Sequence, residues 1–244
     1  MIVRGVTTRR GLASDLAGTV SVGGVTTRSG PWLDPAVSAY IAERTAQPDA
    51  LQQALIAETS EVTGQWAMMQ ISADQGALLG LFVGLTGARN VVEIGTFTGY
   101  SALAMARALP PGGRLLCCDV SEKWTAVARR YWQEAGVGDK ITLRIAPALD
   151  TLRDLPLDDP IDLAFIDAEK SEYVAYYEEL LPRLRPNGVL LVDNTLWSGR
   201  VVEPAGDDER TAAVQAFNDM VAADGRVESY ILPVGDGVTL VRKR

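Results

Sequence analysis

From residue 90 onward the chain alternates between two kinds of segment. "NVVEIG", "GRLLCCDV", "ITLRIAPA", "IDLAFIDA" and "GVLLVDN" are short apolar runs rich in β-branched residues. Between and after them lie "YSALAMARAL", "EKWTAVARRYWQEAG", "SEYVAYYEELLPRL" and "ERTAAVQAFNDMVAAD", which carry helical periodicity. Runs apolar along their whole length suit strands buried on both faces, and strands alternating with helices build a mostly parallel sheet covered on both sides. The last segment, "VESYILPVGDGVTLVRKR", reads as two strands joined by "VGDG", so one strand runs antiparallel to the rest. Several of the strands end in an acid, and strand ends are where open α/β sheets bind ligands.

Three helices are expected before the sheet. The first covers 31–47, with Asp34 as N-cap and Pro35 at the first helical position, and Pro48 ends it. The second covers 49–62 and the third 74–86, stopping near Gly87. A loop at 64–72 containing "WAMMQIS" separates them. Residues 1–30 stand apart: four arginines, one aspartate, a near-repeat of "GVTTRRG" as "GVTTRSG", and no helix or strand period. They read as a flexible basic arm, followed by one domain over 31–244. A length of 244 residues with 47% hydrophobic residues suits one such α/β domain.

Composition removes whole classes of function. There is no histidine, so Ser-His-Asp hydrolysis, most zinc sites and histidine bases are absent. Any metal site must be built largely from oxygen, which favours Mg²⁺ or Mn²⁺. A net charge of −8 and a pI near 4.7 repel phosphate backbones and disfavour nucleic acid as a partner. Cys117 and Cys118 are neighbours in an apolar run, read as buried thiols, and fit a reducing cytoplasm. No apolar run reaches the length of a membrane span.

Two constellations carry chemistry. In "VVEIGTFTGYSAL", Gly95 and Gly99 lie between a strand and a helix, where glycine lets backbone approach a ligand. Asp119 at the next strand end is placed to accept ribose hydroxyls. The dinucleotide pattern G-x-G-x-x-G is missing, and so is a P-loop. Glu93 before the glycine suits a cofactor bearing an ammonium group, and S-adenosylmethionine has that ammonium, a ribose and no phosphate. The second constellation is Asp167, Asp193 and Asn194 at successive strand ends. It makes a hard-oxygen site for a divalent ion, or alternatively a set of helix and turn caps. Lys170, three residues after Asp167, is either a general base or a solvated surface lysine.

These stretches together, "VVEIGTFTGYSALAMA", "FIDAEKSEYVAYY" and "GVLLVDNTLWSGRVVEP", resemble the cation-dependent O-methyltransferases of the caffeoyl-coenzyme A and catechol group over about residues 34–244. The resemblance implies a Rossmann-like class I methyltransferase fold of seven strands with the last antiparallel. It implies Asp167, Asp193 and Asn194 as metal ligands and Lys170 as the base. Cofactor contacts would come from Ile71, Glu93, Gly95, Thr96, Ser101, Asp119, Val120, Ala148 and Asp167. At position 71 the family usually has a threonine-like residue, and isoleucine offers only its backbone. Homodimers are common in the family.

The expected reaction is methyl transfer from S-adenosylmethionine to one hydroxyl of an ortho-dihydroxy aromatic, in bacterial secondary metabolism. Met68, Met69, Tyr173 and Trp197 are candidates for the acceptor pocket, with core packing the commoner role for the methionines. Caffeoyl-coenzyme A esters and hydroxyuridine in transfer RNA are alternative acceptors within methyl transfer. A nicotinamide oxidoreductase lacks its glycine pattern here, and a non-catalytic binding module would have no reason to keep Asp167, Lys170, Asp193 and Asn194 together.

Overall fold

The structure is a computed structural model and describes residues 19–22, 25–28 and 33–244. Two short strands come first, β1 (Thr19–Val22) and β2 (Val25–Arg28), paired antiparallel. This hairpin corrects the expectation of no strand structure before residue 31. Four-residue strands are too short to show a period, although "VGGV" between them is a two-residue hairpin signal. The flexible-arm expectation for the rest of 1–30 lies outside the described residues.

Helix α1 (Pro35–Arg44) starts where proline fixes φ and Asp34 accepts the Ala36 N–H. Helix α2 (Ala50–Thr63) is closed at its N-terminus by a reciprocal capping box of Asp49 and Gln52. A 3-10 turn (Gly64–Met69) occupies most of the expected loop, and α3 (Ala73–Thr86) ends on left-handed Gly87. Met68 and Met69 lie on that 3-10 turn and are exposed, not core. Among the described residues no single helix is long and apolar enough to cross a membrane.

The main sheet contains β3 (Asn90–Ile94), β4 (Arg114–Asp119), β5 (Ile141–Ile145), β6 (Ile161–Ile166), β7 (Leu184–Val192), β8 (Val227–Leu232) and β9 (Val238–Lys243). Their order is β5-β4-β3-β6-β7-β9-β8. The first five run parallel, and β9 pairs antiparallel with both β7 and β8. Between the strands run α4 (Tyr100–Ala108), α5 (Glu122–Glu134), α6 (Ala148–Arg153), α7 (Tyr173–Arg183) and α8 (Glu209–Ala223). The short α6 was not foreseen.

Strand alternation sorts the side chains into two cores. Val91, Leu115, Cys117, Leu163, Phe165 and Leu191 pack under α3, α4 and α5. Val92, Ile94, Cys118, Ala164, Ile166 and Val192 pack under α6, α7 and α8. Cys117 and Cys118 are therefore buried on opposite faces and remain free thiols, as expected of neighbours on a strand. On the second face Tyr173 and Tyr177 meet Phe217 edge-on, at 5.6 and 6.0 Å between ring centroids. Burying each such ring stabilises by about 1.5–3 kcal/mol. Tyr173 is thus a core residue, and its ring centroid lies 5.2 Å from Lys170 Nζ.

Candidate active site

Register sets the site. Cys118, Ile94, Ile166 and Val192 are aligned neighbours across β4, β3, β6 and β7. The next residue along each strand is then Asp119, Gly95, Asp167 and Asp193, one row at the C-terminal edge. Parallel strands lie about 4.7–4.9 Å apart, so these four positions are close in space. Backbone bonds continue the row: Gly95 N–H donates to the Cys118 carbonyl (3.0 Å), Asp167 N–H to Ile94 (2.8 Å) and Asp193 N–H to Ile166 (2.9 Å).

The turn from β3 into α4 is shaped by contacts that exclude side chains. Gly95 has φ 89°, and a Cβ there would stand 1.9 Å from the Asp167 carbonyl oxygen. Gly99 has φ 85° and lies against Ala128 and Trp132 of α5. The Asp119 carboxylate braces this turn, a role sequence reasoning missed: it accepts the N–H groups of Thr96 (3.0 Å), Phe97 (2.8 Å) and Ser121 (2.7 Å). Thr96 and Ser101 are buried beside Glu93. Glu93 itself is fully buried, and neither oxygen has a hydrogen-bond partner among the described residues. Burial pushes its carboxyl up to about 7, with the Ser101, Cys117 and Thr96 side chains opposing. A buried carboxyl with no partner is costly, and an ammonium group from a ligand would relieve it.

The remaining candidates for cofactor contact are spread around this edge. Ile71 is buried in the segment before α3, and Ala148 is the first residue of α6. The connection carrying Ala148 is tied to the row, since Ala146 N–H donates to the Asp119 carbonyl (3.0 Å). Val120 is 74% exposed, so its side chain is not part of a closed pocket wall.

The other half of the row gathers charge. Lys170 opens a 3-10 turn (Lys170–Glu172) and is nearly buried. Its Nζ donates to Asp167 Oδ1 (3.2 Å) and to the Ala168 carbonyl (2.9 Å). The Trp197 ring centroid is 5.9 Å from the same Nζ. Asp193 is buried, and burial followed by the negative charge of Asp167 pushes its carboxyl up, with Lys170 opposing. The capping alternative for Asp167 fails, because α7 has Glu172 at its N-cap and Asp167 caps no helix. Asp193 does accept the Asn194 N–H (2.7 Å) in a local turn.

Two crowded carboxylates face one ammonium here, so a further cation fits the donor set of Asp167, Asp193 and the adjacent Asn194 amide. Among the described residues no group of three or more acidic, histidine or cysteine side chains forms a metal cluster. The set rests on two carboxylates and an amide. A cavity of about 720 Å³ lies elsewhere, along β4 and β5 beside Arg144 and Thr151, and shares none of these residues.

Comparison with known proteins fits this geometry. Residues 42–244 match the family model described as O-methyltransferase. The chain is 43% identical over 198 residues to caffeoyl-CoA O-methyltransferase 2 of Zea mays, covering 76% of this chain and 75% of that one. The O-methyltransferase TomG from Streptomyces achromogenes, involved in tomaymycin synthesis and solved with S-adenosylmethionine, superposes with a TM-score of 0.78 at 32% identity, covering 85% and 96% of the two chains. An O-methyltransferase from Bacillus cereus solved with S-adenosylhomocysteine gives 0.77 at 31% identity, covering 86% and 97%. The chain belongs to the O-methyltransferase family that includes the caffeoyl-CoA O-methyltransferases, and it is an S-adenosylmethionine-dependent enzyme with the class I methyltransferase fold.

Proposed function

We propose that this enzyme methylates one hydroxyl of an ortho-dihydroxy aromatic small molecule with the help of a divalent cation, Mg²⁺ or Mn²⁺. The observation that carries the reading is the register-locked pairing of Asp167 with Asp193, with Lys170 held 3.2 Å from the first. Asp167, Asp193 and Asn194 would hold the cation. A bound cation of this kind supplies Lewis acidity, which lowers the pKa of an acceptor hydroxyl. Lys170 has to leave the Asp167 oxygen and lose its own proton before it can take the acceptor's. Glu93, Gly95, Thr96, Ser101 and Asp119, with Ile71 and Ala148 behind them, would hold the methyl donor beside the acceptor. Holding the two reactants in place accounts for roughly 7–11 kcal/mol of barrier reduction in favourable cases.

The similarity to TomG supports a bacterial secondary-metabolic acceptor. The relatives named caffeoyl-CoA O-methyltransferase favour a second reading, a coenzyme A thioester of the same diol. We extend the proposal to a homodimer, because α1 exposes Val37, Tyr40 and Ile41 and α3 exposes Leu81 and Leu85, and to the cytoplasm, because Cys117 and Cys118 are free thiols.

The test is transfer of labelled methyl to free catechols, to caffeoyl-CoA and to a transfer-RNA pool, each with Mg²⁺ and with EDTA. Label on diols that EDTA abolishes is expected. Transfer undiminished by EDTA would return Asp167 and Asp193 to a purely structural role. Label on RNA alone would replace the acceptor class and keep the donor.

A further inference from the structure

The loop after β7 holds more backbone strain than its length suggests. Asn194, Trp197, Ser198 and Gly199 have φ of 56°, 47°, 53° and 84°. Each non-glycine residue in that region costs roughly 1–2 kcal/mol, so three of them need outside support. Two other elements supply it. In the β8–β9 turn, Asp236 accepts the Leu196 N–H on its carbonyl (2.9 Å) and the Ser198 N–H on Oδ1 (2.5 Å). The Gly237 carbonyl beside it accepts both the N–H (3.0 Å) and the hydroxyl (3.2 Å) of Thr195. Gly237 has φ 86°, and a Cβ there would stand 2.4 Å from Leu196 Cγ, so the turn is built to press on the loop. From α8, Asn218 Nδ2 donates to the Thr195 carbonyl (2.7 Å), and Gln215 Nε2 donates to the carbonyls of Val201 (3.1 Å) and Glu203 (2.7 Å).

What this loop carries is Trp197. Its indole lies beside Lys170, and its buried Nε1–H has no partner among the described residues. A strained loop clamped from both sides places one ring, and that ring sides the space above Lys170.

We propose that Asp236 and Gln215 are positioning residues for the acceptor. Asp236 holds the backbone at Leu196 and Ser198, and Gln215 holds it just beyond, at Val201 and Glu203; from these two sides they set where Trp197 stands, and so decide which of two adjacent hydroxyls meets Lys170. The inference rests on the diol reading above. Neither residue touches the row around Gly95, so donor affinity should be insensitive to both.

The experiment compares Asp236→Ala, Asp236→Asn and Gln215→Ala with the parent enzyme. Caffeic acid and caffeoyl-CoA serve as probe acceptors with Mg²⁺. Asp236→Ala is expected to raise the acceptor KM about tenfold, the loss of one well-formed hydrogen bond to a strained loop. It should also change the ratio of meta to para product and speed tryptic cleavage after exposed Arg200, while the Kd for S-adenosylmethionine stays fixed. Asp236→Asn keeps an acceptor oxygen for Ser198 and should restore product ratio and cleavage rate. Gln215→Ala should move the same readouts from the opposite side of the loop, and it decides the matter if Asp236→Ala fails to fold. Unchanged product ratio and cleavage rate in both alanine variants would overturn the proposal, as would an equal loss of donor affinity. If the parent enzyme methylates neither probe, the diol reading fails, and the cleavage comparison still decides whether the clamp exists.

Discussion

Two turns at the same edge of the sheet are fixed in different proportions by packing and by hydrogen bonds. Between β3 and α4, the turn at 95–99 is left-handed at Gly95, Phe97 and Gly99; Asp119 accepts two of its N–H groups, but its glycine positions are set by the shape of their neighbours. Asp167 backbone fills the space beside Gly95, and α5 fills the space beside Gly99. After β7, the loop at 194–199 is left-handed at four residues, three of them not glycine, and it is held by hydrogen bonds from α8 and the β8–β9 turn. On the proposed reading the first turn would face the methyl donor, which is common to the family's reactions, and the second would face the acceptor. A turn locked by packing tolerates almost no change, whereas one held by exchangeable side chains can be retuned residue by residue.

The strongest way to break that contrast is Gly95→Ala. A methyl group 1.9 Å from a backbone oxygen has nowhere to go, since neither strand can yield without leaving the register. We expect more than about 4 kcal/mol of destabilisation, a loss confined to severe mechanisms. For a chain of this size that is a fall in Tm of about 8–16 °C, read by thermal melting. Gly206→Ala is the matched control: φ is 56° but nothing lies within 4 Å, so about 1 kcal/mol is expected from conformation alone. Equal effects at the two positions would mean that φ, not packing, governs the first turn.

Lys170→Met comes next and isolates the acceptor half. It removes the Nζ bonded to Asp167 and keeps most of the side-chain volume. Loss of a general base lowers kcat by about 10²–10⁴-fold. Donor affinity by calorimetry should not move. A variant that retained more than a tenth of kcat would show that Lys170 is only the partner of Asp167.

Much of this was legible in the sequence, and the gaps have physical causes. The apolar runs located β3, β4, β6 and β7, because buried parallel strands are apolar along their whole length, while β8 and β9 were read from the terminal hairpin signal. The acids at strand ends stood out for the same reason, since each interrupts such a run. That Asp167 caps no helix was not legible: it depended on α7 starting at Tyr173 behind a 3-10 turn, and helix starts shift by a residue or two on small energies. Nor could sequence show that Asp119 ties down Thr96 and Phe97, more than twenty residues away. "VGDG" was recognised as a turn, but its grip on 195–198 comes from β9 lying next to β7, a matter of topology. Gln215 and Asn218 look like ordinary polar residues on a helix until α8 is placed over the loop. Met68 and Met69 misled because methionine is usually buried, and the 3-10 turn holds them outward.

Glu93→Gln tests the donor half by pH. The Glu93 carboxyl rises from 4.5 to about 7 on folding, because burial favours its neutral form. Between those values the folded protein binds a proton that the unfolded chain has released. Stability of the donor-free enzyme therefore falls as pH rises through this window and stays lower above it. The shift corresponds to roughly 3 kcal/mol across the window. Chemical denaturation at pH 5 and pH 8 should show that decline in the parent and a shallower one in Glu93→Gln, with the contribution of Asp193 left behind. The same variant should weaken S-adenosylmethionine, since a neutral amide no longer complements an ammonium group. A parallel decline in both proteins would mean that Glu93 is not the buried acid that matters.

The smallest effect is expected at Ser198→Gly, and its smallness is the point. Glycine removes the roughly 1 kcal/mol of left-handed strain but adds about 0.5–1 kcal/mol of chain entropy lost on folding. The two nearly cancel. The backbone N–H that donates to Asp236 is kept, so the clamp is intact. Tm should stay within about 2 °C, and the acceptor KM should be unchanged. Ser198→Pro deletes that N–H and forces φ negative, so it should disturb acceptor KM while leaving donor affinity alone. If Ser198→Gly altered the acceptor KM as much as Ser198→Pro does, the hydroxyl of Ser198 would be meeting the acceptor directly. The loop would then owe its selectivity to a side chain, not to the backbone path that α8 and the β8–β9 turn impose on it.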